Sequence, residues 1–403
     1  MQFFSVFARF IGVTASVLGF LTSIRNLLQG LFQGAIGNLS DRFGRKYILL
    51  FGFVLSFLIP IPLIFYHNTY FLIFVAIIQA FSVSIIIPTW NAVLGDVTEP
   101  SNRGTFIGKI TSIGRLISVS VTLAIAGFFA FIAARHNSIL TIGKWTITIT
   151  EEFQYGFIFA LAAFNALLCI ISVLFLKETR TFVDQEKRNQ VPKLHVISRD
   201  KKFRRFLLVN SLFGLTMSLI WPINPIILND YLKLDFPKVA VMTSSFAVFI
   251  GVTMIMAGKI VDKIGRKPLI IIAVFTLVFF PVSMIPAILT GKWWLLLLSR
   301  FVGGVGTGIN MIAINAYTLD LAPNELFGGY SGIRETFYGI ATFAGSLAAG
   351  FIIDAMEVRY GLYITVLALS IGVTLLRMFA ALGFLFISES LPIKNNCNLE
   401  KND

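Results

Sequence analysis

The residues best placed to do chemistry in this chain lie in a ten-residue segment that occurs twice. The first copy, GNLSDRFGRK, begins at Gly37, and the second, GKIVDKIGRK, begins at Gly258, 221 residues later. Each copy holds one aspartate, two glycines and several basic residues. A carboxylate at a helix terminus interacts with the helix dipole, and glycine permits tight turns and close backbone approach. The pattern therefore indicates a pair of electrostatic latches rather than a catalytic centre.

Other positions repeat at the same or nearly the same offset, which predicts a chain of two similar halves. Gln79 and Arg300 are also 221 residues apart, and the stretch from Asp96 to Pro100 is matched to within a few residues by the stretch from Asp320 to Pro323. Repeats in the same orientation are typical of transporters whose halves are related by an axis along the membrane normal.

The elements that must position these residues are membrane-spanning helices. Of the 403 residues, 56% are hydrophobic and 13% are charged, whereas a soluble domain has about 45–50% and about 25%. The sequence therefore predicts an all-α membrane protein, because a span needs roughly 20 apolar residues. The eleven predicted spans cover residues 14–36, 47–66, 70–93, 105–133, 153–176, 206–229, 239–258, 268–290, 293–318, 329–352 and 361–387. A small hairpin is predicted within 135–152.

Basic residues predict the orientation. One set of loops holds 21 lysines and arginines and the alternate set holds seven. Positive loops stay in the cytoplasm, so the repeated segments, the central loop and the C terminus are predicted to be cytoplasmic, and the N terminus to be outside. This topology accounts for the net charge of +13 without a nucleic-acid partner. The predicted domains are an N-terminal half (1–176), a charged linker (177–205), a C-terminal half (206–388) and a tail (389–403).

The repeated segment resembles motif A of the major facilitator superfamily, G-x-L-x-D-R-x-G-R-K. The run RFVGGVGTG that begins at Arg300 resembles the family's motif B, R-x-x-x-G-x-G-x-G. The resemblance implies two six-helix bundles related by a pseudo-twofold axis. Only one complete span precedes the first motif, where the family has two, so family helix 1 is expected to be absent from this sequence, through a truncation or a start site placed too late. The fourth span lacks the G-P-x-x-G-G pattern of many drug antiporters.

The resemblance also implies two gates. In the family, the motif A aspartate faces the start of helix 11 and its arginine pairs with an acid after helix 4. Asp41 would thus face the helix that begins near residues 328–330, and Asp262 the helix that begins near residue 103. The alternative is that these charges only set topology. The residues assigned to the gates are Gly37, Asp41, Arg42, Gly44, Arg45, Asp96, Arg103, Gly258, Asp262, Gly265, Arg266 and Asp320, with the pairs Arg45–Asp96 and Arg266–Asp320.

Charges inside the spans indicate a cavity. Five arginines, at positions 25, 115, 300, 334 and 377, lie within predicted spans, against one carboxylate, Glu335. Ionised groups at this depth face a partner or a water-filled cavity, and excess guanidinium favours an anion; the alternative is local pairing with carbonyl groups. Arg377 is expected to extend towards the cytoplasm in a structural role. The candidate cavity residues are Arg25, Asn26, Gln29, Gln79, Arg115, Asn210, Trp221, Asn224, Arg300, Asn310 and Asn315.

Glu335 and Arg334 form a separate candidate site for a lock or for ion coupling. Glu335 lies about 6 Å shallower than Arg25 at 1.5 Å per residue, so it is predicted to pair with Arg25 when the cytoplasmic side shuts. Two alternatives are that Glu335 neutralises Arg334 or that it binds a proton.

These features predict a secondary transporter of a small organic solute, an anionic metabolite or a sugar-type molecule, that works by alternating access in the plasma membrane. A drug or metabolite efflux antiporter is the alternative within the same class, and a non-transporting sensor or partner protein is the alternative outside it. A proton or sodium ion is the candidate coupling partner, and membrane lipid surrounds a predicted monomer. No cofactor, metal or enzymatic activity is predicted, because no nucleophile, base or metal-ligand cluster is present.

Overall fold

The computed structural model describes residues 3–65, 68–97, 103–136, 139–142, 145–178, 200–322 and 327–390. Within these ranges the chain is a helical bundle with one hairpin. The helices of the first half are α1 (Phe4–Phe10), α2 (Ala15–Phe43), α3 (Arg45–Leu58), α4 (Thr69–Val97), α5 (Arg103–His136) and α6 (Glu151–Phe175). Those of the second half are α7 (Lys201–Ser218), α8 (Ile223–Ile226), α9 (Phe236–Ile264), α10 (Arg266–Val282), α11 (Ile285–Thr290), α12 (Leu296–Leu321) and α13 (Phe327–Leu382).

Helices occupy all eleven predicted positions. By length and apolar composition, eight helical segments of the described residues are able to cross a membrane, and the last of these runs from Gly329 to Phe386 through both of the final predicted spans. The predicted hairpin is confirmed, since β1 (Ile139–Ile142) pairs antiparallel with β2 (Trp145–Thr148). The number of eleven spans stays a prediction.

Two boundaries differ from the sequence prediction. Residues 353–360 were expected to form a loop, but α13 continues through them and turns sharply at Gly361, whose φ of 76° is a left-handed value that glycine adopts without strain. The second half was expected to begin at residue 206, but α7 begins at Lys201. Its start is fixed by Asp200, which accepts hydrogen bonds from the backbone N–H groups of Lys202 and Phe203 at 2.9 and 3.1 Å.

Prolines divide two of the spans into segments. α7 ends at Ser218, ahead of Pro222, and α8 continues into a π-helical turn at Ile227–Tyr231. Pro281 lies in the last turn of α10, shortly before α11 begins. Proline lacks the N–H that a helix needs and therefore releases carbonyl groups from the preceding turn.

The two halves meet along a seam between α2 and α13, and glycine makes their close approach possible. Gly19 and Gly30 of α2 are 11 residues apart, as are Gly339 and Gly350 of α13, so each pair lies about three turns apart on one helix face. A Cβ at any of the four would clash with a backbone carbonyl oxygen of the facing helix. The facing pairs are Ala15–Gly350, Gly19–Ser346, Asn26–Gly339 and Gly30–Glu335.

Hydroxyl groups add hydrogen bonds across this seam. Ser346 donates to the carbonyl of Gly19 at 2.9 Å, and Thr336 donates to the carbonyl of Gly30 at 2.7 Å. From Ala15 to Gly30 the seam extends over about 22 Å at 1.5 Å per residue, most of the roughly 30 Å hydrocarbon thickness of a bilayer. The seam therefore holds the halves together through most of the membrane.

The seam predicts that Gly339→Ala destabilises the protein. The added methyl group has to displace the backbone of α2, and overpacking of this kind typically costs about 1–3 kcal/mol. Thermal unfolding in detergent measures the effect. Gly332→Ala on the same helix is the matched control, because nothing lies within 4 Å of a Cβ there. Equal unfolding temperatures for the two variants would contradict the assignment of the seam.

Candidate functional site

A cavity of about 580 Å³ lies between the two halves. Its walls are largely apolar and aromatic, and polar side chains from both halves point into it. The polar and charged lining residues are Ser5, Thr22, Arg25, Asn26 and Gln79 from the first half and Asn224, Thr243, Arg300, Thr307 and Arg377 from the second. A concave, mainly apolar site with a few converging polar groups is the usual form of a small-molecule site.

The polar stripe predicted on α2 supplies the first-half wall. Thr22, Arg25 and Asn26 line the cavity together with Gln79 of α4. Arg25 is exposed to this space. Gln29, one turn further along α2, is half-buried and does not line the cavity. The structure therefore does not bring Gln29 together with the other residues predicted on this stripe.

Arg300 supplies the main charge of the second-half wall. Its side chain is 5% exposed and donates a hydrogen bond to the Oδ1 atom of Asn224 at 2.6 Å. Asn224 and Trp221 flank Pro222, where the helix is interrupted, and both line the cavity as predicted. The Nε atom of Arg300 is buried with no hydrogen-bond partner among the described residues.

Arg377 is not placed as the sequence suggested. It is fully buried and does not extend towards the end of its helix. Its guanidinium donates to the carbonyl groups of Thr216, Met217 and Leu277 at 3.3, 2.7 and 2.9 Å. Leu277 lies four residues before Pro281, so its carbonyl has no helical partner. The carbonyls of Thr216 and Met217 belong to the final turn of α7, where the last four carbonyls of a helix lack partners.

Three other predicted cavity residues lie elsewhere. Asn210 is buried within the second half, and Asn310 has a buried Oδ1 atom without a partner among the described residues, but neither lines the cavity. Asn315 accepts a hydrogen bond from Arg334 at 3.0 Å. The structure therefore does not bring these three asparagines together with the residues that line the cavity. The side chain of Arg115 lies outside the described residues.

Arg334 and Glu335 form an ion pair with each other. Arg334 also donates to Thr318 at 3.1 Å, so its guanidinium is fixed between α12 and α13. No pair between Glu335 and Arg25 is formed among the described residues. The conformation seen here therefore matches the alternative in which Glu335 neutralises its neighbour.

One end of the bundle, here called the motif end, holds both copies of the repeated segment. At each copy a glycine with left-handed φ, 93° for Gly44 and 99° for Gly265, ends one helix and starts the next. Glu389 accepts hydrogen bonds from the backbone N–H groups of Arg266 and Lys267 at 3.1 and 3.0 Å. In the first half, Glu178 accepts from Arg45 and Lys46 at 3.0 and 3.2 Å.

These two glutamates were not predicted from the sequence. Each caps the N terminus of α3 or α10, where four backbone donors lack partners. The last lysine of each motif binds the end of the helix that precedes the capping glutamate. Lys46 donates to the carbonyl of Leu174 at 2.7 Å, and Lys267 donates to that of Leu385 at 2.9 Å. A signal was available: a glutamate lies two residues after the last predicted span of each half.

The predicted contact between Arg266 and Asp320 is present. The Nε atom of Arg266 lies 2.9 Å from Oδ2 of Asp320. In the first half, the Arg45 guanidinium donates to the carbonyl of Ala92 near the end of α4. Gly258 lies within α9 in open space. Five of the predicted gate residues have side chains that lie outside the described residues: Asp41, Arg42, Asp96, Arg103 and Asp262. At Gly37 the structure describes the helical backbone alone.

The opposite end of the bundle, here called the far end, carries a second set of contacts between the halves. The carboxylate of Asp354 on α13 accepts hydrogen bonds from the backbone N–H groups of Ala15 and Ser16 at 2.9 and 3.0 Å. Arg9, in the last turn of α1, forms an ion pair with Asp230 and approaches Glu357 at 3.7 Å. This far-end latch, made of Asp354 with the first turn of α2 and of the Arg9 cluster, joins the two halves at that end.

A repeated helical bundle, a polar cavity between its halves and charged contacts at both ends define a multi-pass membrane transporter of small molecules. The chain belongs to the major facilitator superfamily, whose family model matches residues 2–209 and again residues 206–395. The double match follows the internal repeat, and it confirms the resemblance seen in the sequence.

Similar proteins include efflux pumps. The chain is 23% identical to Multidrug resistance protein 2 of Bacillus subtilis, over 88% of this chain and 84% of that protein. It is 21% identical to the multi-drug resistance efflux pump PmrA of Streptococcus pneumoniae, over 95% and 91%.

Solved structures with the same fold include solute transporters. The crystal structure of a D-xylose-proton symporter matches with a TM-score of 0.70 at 17% identity, over 96% of this chain and 92% of that one. A mutant of the nucleoside transporter NupG matches with a TM-score of 0.74 at 12% identity, over 95% and 94%. At these identities the likeness establishes the fold.

The glutamate caps predict a stability cost for Glu389→Gln. The amide keeps one acceptor and presents an N–H group to a backbone N–H, so unfolding free energy falls by about 1 kcal/mol. Thermal unfolding of the purified protein measures this cost. Glu152→Gln, an exposed position in the first turn of α6, is the control. A Glu389→Gln protein as stable as that control would show that the cap contributes nothing.

The far-end latch predicts a conformational shift for Asp354→Asn. Loss of the charge at the N terminus of α2 removes about 1 kcal/mol, a roughly fivefold shift in a two-state equilibrium towards the form open at the far end. The readout is the labelling rate of Ser5→Cys, which lines the cavity, by an impermeant maleimide added from that side, in a background where Cys169 and Cys397 are serine.

Asp235→Asn is the control for this experiment, because Asn caps α9 about as well as Asp does. An unchanged labelling rate in Asp354→Asn would remove the latch from the gating scheme.

Proposed function

We propose that this protein is a secondary transporter that carries a small organic solute across the plasma membrane by alternating access of its two halves. The observation that carries the proposal is the cavity, because residues of both halves line it and a solute bound there touches both. Relative movement of the halves would then expose the same site to either side in turn. The protein acts without catalysis or a resident cofactor.

The contacts at the two ends supply the gates. At the far end, Asp354 and the Arg9 cluster join the halves and would separate when the site opens there. At the motif end, Asp41 and Asp262 are the gate residues that the family resemblance implies. Opening one end weakens charge–dipole contacts worth about 0.3–1 kcal/mol each at exposed positions, a cost small enough for a solute to offset.

The excess of basic residues in the loops of the motif end supports a cytoplasmic position for that end. The central linker and the C terminus lie on the same side, and the protein acts as a monomer. Glu335 is the candidate coupling site for a proton or sodium ion, because it is the one carboxylate within a predicted span. Glu335 is paired with Arg334, so an incoming proton or sodium ion would compete with the Arg334 guanidinium for the Glu335 carboxylate.

Efflux of drugs is the second candidate function, and the names of the bacterial relatives favour it. Trp221, Phe246 and Phe280 provide an aromatic wall that suits flat apolar molecules. The three arginines that line the same cavity oppose cationic drugs. A non-transporting sensor with the same fold is the remaining alternative.

Uptake into proteoliposomes tests the proposal. The purified full chain is reconstituted and assayed with glucose, uridine, succinate and ethidium, which represent neutral, anionic and cationic solutes. We expect one of these classes to accumulate above the level in protein-free liposomes. Accumulation of none, under proton and sodium gradients of either direction, would favour the non-transporting alternative.

Asp41→Asn should slow this transport by more than about tenfold, since the variant loses the charge–dipole contact that the family resemblance implies for the gate, worth up to about 2 kcal/mol. Membrane insertion should be unchanged because the basic residues already secure the orientation. Rates are compared at equal amounts of reconstituted protein, with Asp184→Asn in the predicted linker as the control. A near-normal rate for Asp41→Asn would leave the residue with a topological role alone.

A further inference from the structure

The charge of the cavity is not balanced by the protein. Arg25, Arg300 and Arg377 line it, and none of the carboxylates that the structure describes does so. An ionised group within a membrane protein is costly unless a partner, a dipole or water stabilises it. Each of the three guanidinium groups therefore needs something in the protein or in the cavity that stabilises its charge.

Arg377 is accounted for by the protein itself. Three carbonyl groups accept its hydrogen bonds, and the ring of Phe280 lies 5.8 Å from its guanidinium carbon. Those carbonyls were released by helix ends and by Pro281, so they carry the negative ends of helix dipoles. Its charge is used to join α7, α10 and α13.

Arg300 has no such compensation. Its side chain is buried, with 5% exposure. Its one hydrogen bond within the described residues goes to the neutral amide of Asn224. Its Nε atom, one edge of the planar fork, is buried without a partner among the described residues. An unused guanidinium edge beside a cavity is the geometry that accepts a carboxylate or phosphate group by two parallel hydrogen bonds.

Arg25 faces the same cavity from the other half. It is exposed to that space, and no described residue accepts a hydrogen bond from it. Its neighbours on the cavity wall, Thr22, Asn26 and Gln79, are neutral. Thus each half contributes one guanidinium whose charge is open to a ligand.

We propose, resting on the transport function above, that the solute is a small organic anion whose carboxylate or phosphate oxygens bind Arg300 and Arg25. Asn224 holds the Arg300 guanidinium in place through its Oδ1 atom. The neutral part of the ligand contacts the aromatic wall and the hydroxyl groups of Thr22, Thr243 and Thr307. Because the two arginines belong to different halves, the anion links the halves, and an empty cavity retains two like charges that favour opening.

The test is ligand-dependent thermal stability of the purified full chain. The probes are succinate and citrate for carboxylates, glucose 6-phosphate for phosphates, glucose as the neutral match and tetraphenylphosphonium as the cation, all at equal ionic strength so that general screening cancels. We expect saturable stabilisation by a carboxylate or by the phosphate, and which of the two acts identifies the group. Glucose and tetraphenylphosphonium should have no effect.

Arg300→Gln and Arg25→Gln should each weaken the apparent affinity for that anion by at least about tenfold, and Arg300→Lys should restore part of it because charge returns without the planar fork. The matched control is Arg359→Gln, at an exposed position beside Tyr360. Without ligand, Arg300→Gln should be no less stable than wild type, since an uncompensated charge is removed, whereas Arg377→Gln should be destabilised.

Stabilisation by glucose or tetraphenylphosphonium alone, by none of the five probes, or by an anion with equal affinity in all the arginine variants would overturn the proposal. Transport of a neutral or cationic solute would do the same and leave the transport function intact. Anion binding that depends on Arg300 and Arg25, without uptake of any solute, would instead retain the binding site and remove the transport function.

Discussion

The close approach of α2 and α13 is the contact on which the other features of the structure depend. In lipid, helices gain little from hydrophobic association, so small residues that allow backbone contact provide much of the attraction. Four glycines provide it here. The seam sets the separation of the halves and hence the width of the cavity. It also brings Asp354 to the first turn of α2 at the far end and Thr336 to Gly30 towards the motif end.

Three environments for one residue type explain how this bundle handles positive charge. Arg377 is surrounded by carbonyl groups that helix ends and a proline released. Arg334 donates hydrogen bonds to a carboxylate, a hydroxyl oxygen and an amide oxygen. Arg25 and Arg300 are left with neutral neighbours beside open space. The local backbone, rather than the side chain, decides between these outcomes, because only interrupted helices have carbonyl groups to offer.

Sequence reasoning reached the fold, the internal repeat and about half of the polar and charged residues on the cavity wall. Periodicity placed Arg25 and Asn26 on one face, and the resemblance implied the pair Arg266–Asp320, which the structure confirms. The position of the Arg377 guanidinium was missed because it depends on the carbonyl of Leu277, 100 residues away, although Pro281 four residues later marks that carbonyl as free. Asp354 was missed because α13 was expected to end before it. Such errors arise wherever a contact depends on the register between distant helices.

The glutamate caps have a consequence for the order in which the chain assembles during synthesis. Glu178 caps the start of α3, 133 residues upstream, and both partners of this contact belong to the first half. The first bundle can therefore form this contact in the membrane before α7 has emerged from the ribosome. Glu389 binds the start of α10, 123 residues upstream, so the corresponding contact of the second bundle forms only when translation is nearly complete. A nascent chain halted between these two points would present one finished bundle to the membrane and one unfinished one.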